Sequence, residues 1–280
     1  MNAAEKSVRG LIRRVALTLM LALLFPVMAV SQAFDHEHGA LTNLLARHVK
    51  WNAQGTASSV DYAGFMRDRA ALGEVLSRYS DVSQAQYDGF TRDQQLAFLI
   101  NAYNAFTIEL ILTKYPDLDS IKDLGGLFSG SPWKKEFFSL LGDKRHLDWV
   151  EHGMIRKPGV FDDPRIHFAV NCASIGCPAL RPEAFVASRL DAQLQDNTRR
   201  FMSDRTRNFY DAGGNELKVS KIFDWYGEDF SKGYKGVKSL KGFLAAYAKE
   251  ISDDPAVQGR IAAAQVEVDF ATYDWKLNKR

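Results

Sequence analysis

Between Leu96 and Ile108 the chain carries no charged residue. Just upstream, Thr91 and Gln94 have the spacing of a capping box, in which two side chains satisfy backbone N–H groups at a helix start. The spacing predicts a helix from about Thr91 to Lys114, closed off by Pro116. A helix that is apolar on every side has no face to offer water, so the rest of the chain must fold around it. Asn101 and Asn104 interrupt it, three residues apart and therefore on one face. A buried amide without partners costs on the order of 1–3 kcal/mol. The pair therefore either ties down a neighbouring loop or lines a polar site.

Around this helix the patterns alternate between helical and strand periodicity. Helical spacing runs over Leu41 to Trp51, from Val60 through Leu76, over Val186 to Met202 and over Leu240 to Ile251. Leu147 to Arg156 reads as a short helix, with Asp148 and Glu151 at capping-box spacing. Asn208–Asp211 and Leu217–Ser220 alternate around Gly213-Gly214-Asn215, a hairpin signal. Val266 to Phe270 reads as a late strand running on towards Tyr273-Asp274-Trp275, and Arg165 to Val170 as a strand feeding the loop Asn171–Pro178. Ile121 to Lys144 is Gly-rich and irregular, a candidate lid with Trp133, Phe137 and Phe138 as anchors. Phe34 to Gly39, with His36-x-His38, reads as a disordered tail. The pattern predicts an α+β fold: a helix-rich single domain, residues 34–280, with a small and mostly antiparallel sheet.

The N-terminus reads as an export signal over residues 1–33. Lys6, Arg9, Arg13 and Arg14 precede an apolar run, Val15 to Val30, and Ser31-Gln32-Ala33 offers small residues for cleavage. The expected location is the periplasm of a Gram-negative cell or its exterior, with no membrane contact after cleavage. Removing four basic residues and one acid, Glu5, takes the formal charge from +2 to −1. That near-neutral remainder excludes a nucleic-acid partner bound by counterion release. Lys232, Lys235, Lys238 and Lys241 recur every third residue, interrupted by glycines, and read as a solvated surface.

Both cysteines, Cys172 and Cys177, sit in the loop after Val170. A nucleophilic thiol needs a base to lower its pKa and a third group to orient that base. Cys172 is the candidate nucleophile, with His152 or His167 as base and Glu151, Asn101 or Asn104 as orienting groups. His167 lies five residues before Cys172 and would point to the opposite face of a strand, which favours His152. The competing reading is a Cys172–Cys177 disulfide, as two cysteines in an exported chain invite. A thioredoxin-like C-x-x-C spacing is absent. Zinc held by Cys172, Cys177, His152 and His167 ranks below both, and no cofactor is expected.

Several segments together resemble the domain-of-unknown-function 547 family. They are Ala97–Ala105, Leu147–Arg156 with Glu151-His152, His167–Leu180 with both cysteines, Ser220–Tyr226 and Tyr273–Asn278. The resemblance spans nearly all of residues 34–280 and implies no assigned activity. Two functions remain as expectations. One is a cysteine-dependent hydrolase or acyl transferase using a Cys/His pair. The other is a non-catalytic periplasmic binding domain with a structural disulfide. The partner in either case is a small molecule or peptide.

Overall fold

The computed structural model describes residues 33–125 and 130–280, and Asp35–Arg280 form one compact unit. The predicted export signal lies outside the described residues except for Ala33, as does the 126–129 part of the predicted lid.

The unit is built on the predicted central helix. Its elements begin with α1 (Gly39–His48), an antiparallel pair β1 (Val49–Trp51) and β2 (Ser58–Val60), α2 (Tyr62–Arg67), α3 (Arg69–Ser80) and α4 (Gln84–Asp88). The central helix, α5, spans Arg92–Leu112, and its capping box is formed as predicted: Thr91 Oγ1 accepts from Gln94 N, and Gln94 Oε1 accepts from Thr91 N at 2.9 Å. Every residue from Leu96 to Ile108 is buried. Helices α2 and α3 pack against α5, and so does a π-helix over Trp149–Ile155.

The other half of the unit is an aromatic core. Helix α6 (Leu190–Met202) contributes Phe201, and α7 (Ile222–Trp225) contributes Phe223. Phe168, Phe230 and Phe243 complete it, with Phe223 and Phe230 ring centroids 4.8 Å apart. A three-stranded sheet flanks this core, β5 (Phe209–Asp211), β6 (Glu216–Val219) and β7 (Glu267–Phe270). The predicted hairpin is the antiparallel β5–β6 pair, turning through Asn215 at φ +54°. Strand β7 joins β6 in parallel, Glu216 opposite Glu267. The fold is α+β as predicted, but the described strands form three small sheets, one of them mixed.

Four local expectations are corrected. Arg165–Val170 is no strand: Pro164–Phe168 form a 3₁₀ turn. Pro164 presets a helical φ, and the Asp163 side chain accepts from Arg165 N, so the local chemistry starts a turn. The apolar character there reflects burial on all sides. His38 is no disordered tail: it is 4 % exposed, and its Nδ1 lies 2.7 Å from the Tyr79 hydroxyl. Burial holds its pKa down at about 4. The predicted Leu240–Ile251 helix is two pieces, α8 (Leu240–Ala245) and α9 (Ala248–Ile251), followed by α10 (Pro255–Ala262). The irregular Ile121–Lys144 segment closes with a hairpin, β3 (Phe138–Leu140) against β4 (Asp143–Arg145), anchored by Phe138 stacking on Phe106 at 3.9 Å.

The two amides of α5 tie down loops. Asn101 donates to Phe185 O at 2.7 Å and accepts from Phe185 N at 2.9 Å. Asn104 donates to Ala169 O at 2.9 Å and accepts from Asn171 N at 2.8 Å. Each side-chain amide takes the place of a peptide partner for a segment with no strand beside it. Asn104→Ala strands two buried backbone groups at once, and should lower unfolding free energy by about 2–4 kcal/mol. Urea denaturation checks this: the midpoint should fall at unchanged slope, and a change under about 0.5 kcal/mol would contradict the clamp.

Candidate functional site

Asn104 fixes the backbone on either side of Val170, where the cysteine loop begins. Asn171 then folds the loop on itself, donating to Pro178 O at 2.7 Å and accepting from Ala173 N at 2.9 Å. Ala173 takes the left-handed conformation at φ +64°. The C-terminal tail closes the loop from outside, with Ile175 N bonded to Lys276 O and Gly176 N to Asp274 O, each at 2.8 Å. Gly176 is needed for this approach, since a Cβ there would lie 2.8 Å from the Tyr273 ring.

Within this frame Cys172 and Cys177 are joined by a disulfide, their Cα atoms 6.2 Å apart. The Tyr273 hydroxyl lies 3.2 Å from each sulfur and 2.9 Å from Ser174 Oγ. Burial pushes the Tyr273 phenol up to about 12. The disulfide forms part of the lining of a cavity of about 220 Å³. Tyr103 from α5, Tyr226, and the indoles of Trp133, Trp225 and Trp275 supply its aromatic walls.

The π-helix delivers the acid and one imidazole. Its wide turn is closed by Arg156 N donating to Glu151 O at 2.8 Å, a five-residue step. Such turns are frequent at functional sites because they shift side chains out of α-helical register. Glu151 and His152 both line the cavity. The predicted capping box is not formed: Asp148 makes no cap bond, and its carboxylate instead lies 3.5 Å from His152 Nε2. Glu151 is 7 % exposed. Burial first, and then the Glu151 charge, hold the Tyr103 and Tyr226 phenols well above their usual range. His152 sits at the rim with Nδ1 against the Arg156 guanidinium.

His167 also lines the cavity but is fully enclosed, its ring stacked on Tyr226 at 4.0 Å. Its Nε2 lies 2.8 Å from Asp229 Oδ2. Burial lowers the His167 pKa despite that carboxylate. Asp229 also accepts from Arg156 Nε and Lys232 Nζ, each at 2.6 Å. Burial alone would raise the Asp229 pKa, but these three donors hold it well below the usual carboxylate range.

Of the predicted site residues, Cys172, Glu151, His152 and His167 come together on one cavity. Asn101 and Asn104 do not line it, because their amides are consumed by the loop bonds described above. Neither imidazole is hydrogen-bonded to Cys172 Sγ, whose polar neighbours are Ser174 and Tyr273. With both sulfurs in the disulfide, the zinc set loses its two thiolates and Cys172 has no resting thiolate. Sequence reasoning missed Tyr103, Asp148 and the three indoles as wall residues. The aromatic runs at Trp225-Tyr226 and Tyr273–Trp275 were the available signal.

These features define a class: a helix-rich α+β unit with an aromatic cavity part-lined by a disulfide. Residues 87–202 match the family model described as "Protein of unknown function, DUF547", so this segment belongs to that family. It carries α5, the π-helix, the disulfide and all of α6. No curated protein and no solved structure matches the chain.

The disulfide makes a counting prediction. Native protein, purified without reductant, should gain no mass from a thiol alkylator, and reduced, unfolded protein should gain two adducts. Two adducts on unreduced protein would contradict the pairing.

Proposed function

We propose that this is an exported small-molecule binding domain whose cavity is held open by a structural disulfide. The observation that carries the reading is the cavity itself. Its aromatic walls come from segments far apart in sequence, and the sulfur that a thiol enzyme would need free is bonded to Cys177. Pockets of this kind, mostly apolar with a few convergent polar groups, are the usual form of small-ligand sites. Export is supported by the basic, apolar and small-residue order of residues 1–33, and an oxidising compartment suits the disulfide.

A second reading rests on a specific observation, the convergence of Cys172, Glu151, His152 and His167 on that cavity. Reduction would release Cys172 as the nucleophile of a hydrolase or acyl transferase, with His152 or His167 as its base. An external reductant would then be required for any turnover.

Thermal unfolding of the oxidised protein against a panel of small cationic, neutral and anionic compounds tests the first reading. A ligand at about 100 times its dissociation constant should stabilise by roughly 2.7 kcal/mol, visible as a rise in Tm. A panel without effect on the oxidised protein, together with reductant-dependent and Cys172-dependent hydrolysis of an activated ester, would replace it with the second. N-terminal sequencing of protein recovered from its host should begin at Phe34, and a chain retaining Met1 would contradict export.

A further inference from the structure

The cavity has a charge pattern that selects among ligands. Its lining includes two carboxylates, Asp148 and Glu151, and neither a lysine nor an arginine. Glu151 is 7 % exposed and is held by the Tyr103 and Tyr226 hydroxyls, with the Arg156 charge near but not paired with it. The nearby Arg156 guanidinium is engaged elsewhere: Nε bonds Asp229, and the group lies over the Tyr226 ring at 4.7 Å and against His152. A carboxylate buried without an opposite charge is costly, and an occupant that brings a positive charge offsets that cost.

The walls suit the same occupant. Trp225, Tyr273 and Trp275 are in mutual contact, with centroids 4.6 to 5.5 Å apart, and Trp133 meets Trp275 edge-on at 6.0 Å. Aromatic faces attract cations through the ring quadrupole, most strongly when the site is dry. The protein's own ammonium already does this: Lys122 Nζ stands 3.7 Å over the Trp275 ring. An anionic ligand would meet Asp148 and Glu151 with like charge. A neutral one would bring no charge to Glu151.

We infer that the cavity binds a small organic cation, its charged nitrogen held by the Glu151 carboxylate and the indole walls. This rests on the binding-domain reading and adds the ligand class to it.

Calorimetry on the full oxidised chain can separate the two claims with a matched pair of probes, choline and its uncharged carbon isostere 3,3-dimethylbutan-1-ol. The two have nearly the same shape, so the difference reports the charge. Choline should bind at least about tenfold more tightly than the isostere, a difference that corresponds to 1.4 kcal/mol. Glu151→Gln should reduce choline affinity about tenfold and leave the isostere unchanged. If that variant does not fold, the wild-type pair still decides, and Asp148→Asn at the rim should weaken choline without affecting the isostere. Trp225 is 43 % exposed, so Trp225→Ala should fold normally and weaken choline. Equal binding of choline and isostere overturns the cation inference and leaves the binding domain standing. So does a response to neutral or anionic compounds with none to choline or tetramethylammonium. No response to any compound overturns both.

Discussion

Two side-chain amides on one buried helix hold the site together. Asn104 bonds Ala169 O and Asn171 N, so the turn before Cys172 is fixed to the most buried element of the unit. Asn101 does the same for Phe185, seven residues after Pro178. The cysteine loop is therefore anchored on both sides to α5, through bonds that neither water nor a strand supplies. The loop's outer edge is then available to the C-terminal tail, which brings Tyr273 onto the disulfide and Trp275 into the wall. A central helix apolar on all sides is what makes such clamps strong, because a broken one leaves a peptide group unsatisfied in a dry interior.

Electrostatics then divide the polar groups into two sets. Asp229 gathers His167, Arg156 and Lys232 into one cluster, with His167 and Arg156 both stacked on the Tyr226 ring. One carboxylate there meets two cations, and burial keeps His167 a poor proton acceptor. Glu151, also on the cavity wall, is bonded by the Tyr226 hydroxyl rather than by a cation. That asymmetry separates the enclosed imidazole of His167 from the acid on the cavity wall. The expected Cys/His pair is not formed, because the sulfur is met by Tyr273 and Ser174, and His167 turns to Asp229.

The central helix was legible because its evidence is local: a capping box, an uncharged run and a proline stop. The β5–β6 hairpin was legible for the same reason, from alternation around a Gly-Gly-Asn turn. The cysteine loop was found by its composition, and its disulfide was one of two open readings. What was not legible depends on partners far apart in sequence. Tyr273 lies 101 residues from Cys172, and Asp229 lies 62 from His167. The π-helix escaped because its apolar spacing is that of any short helix, and only the five-residue step reveals it. The 3₁₀ turn at Pro164 has the sequence look of a strand because complete burial gives the same apolar run in either conformation.

The central claim is that the aromatic cavity is where a ligand sits, and the tryptophans test it. The chain has five, Trp51, Trp133, Trp149, Trp225 and Trp275, of which Trp133, Trp225 and Trp275 line the cavity. Indole N–H resonances in a ¹⁵N-labelled sample, assigned by single substitutions, can be followed while choline is titrated. The account predicts saturable shifts in the three wall indoles, with Trp51 and Trp149 unmoved. Shifts confined to Trp51 or Trp149, or equal in all five, would contradict it.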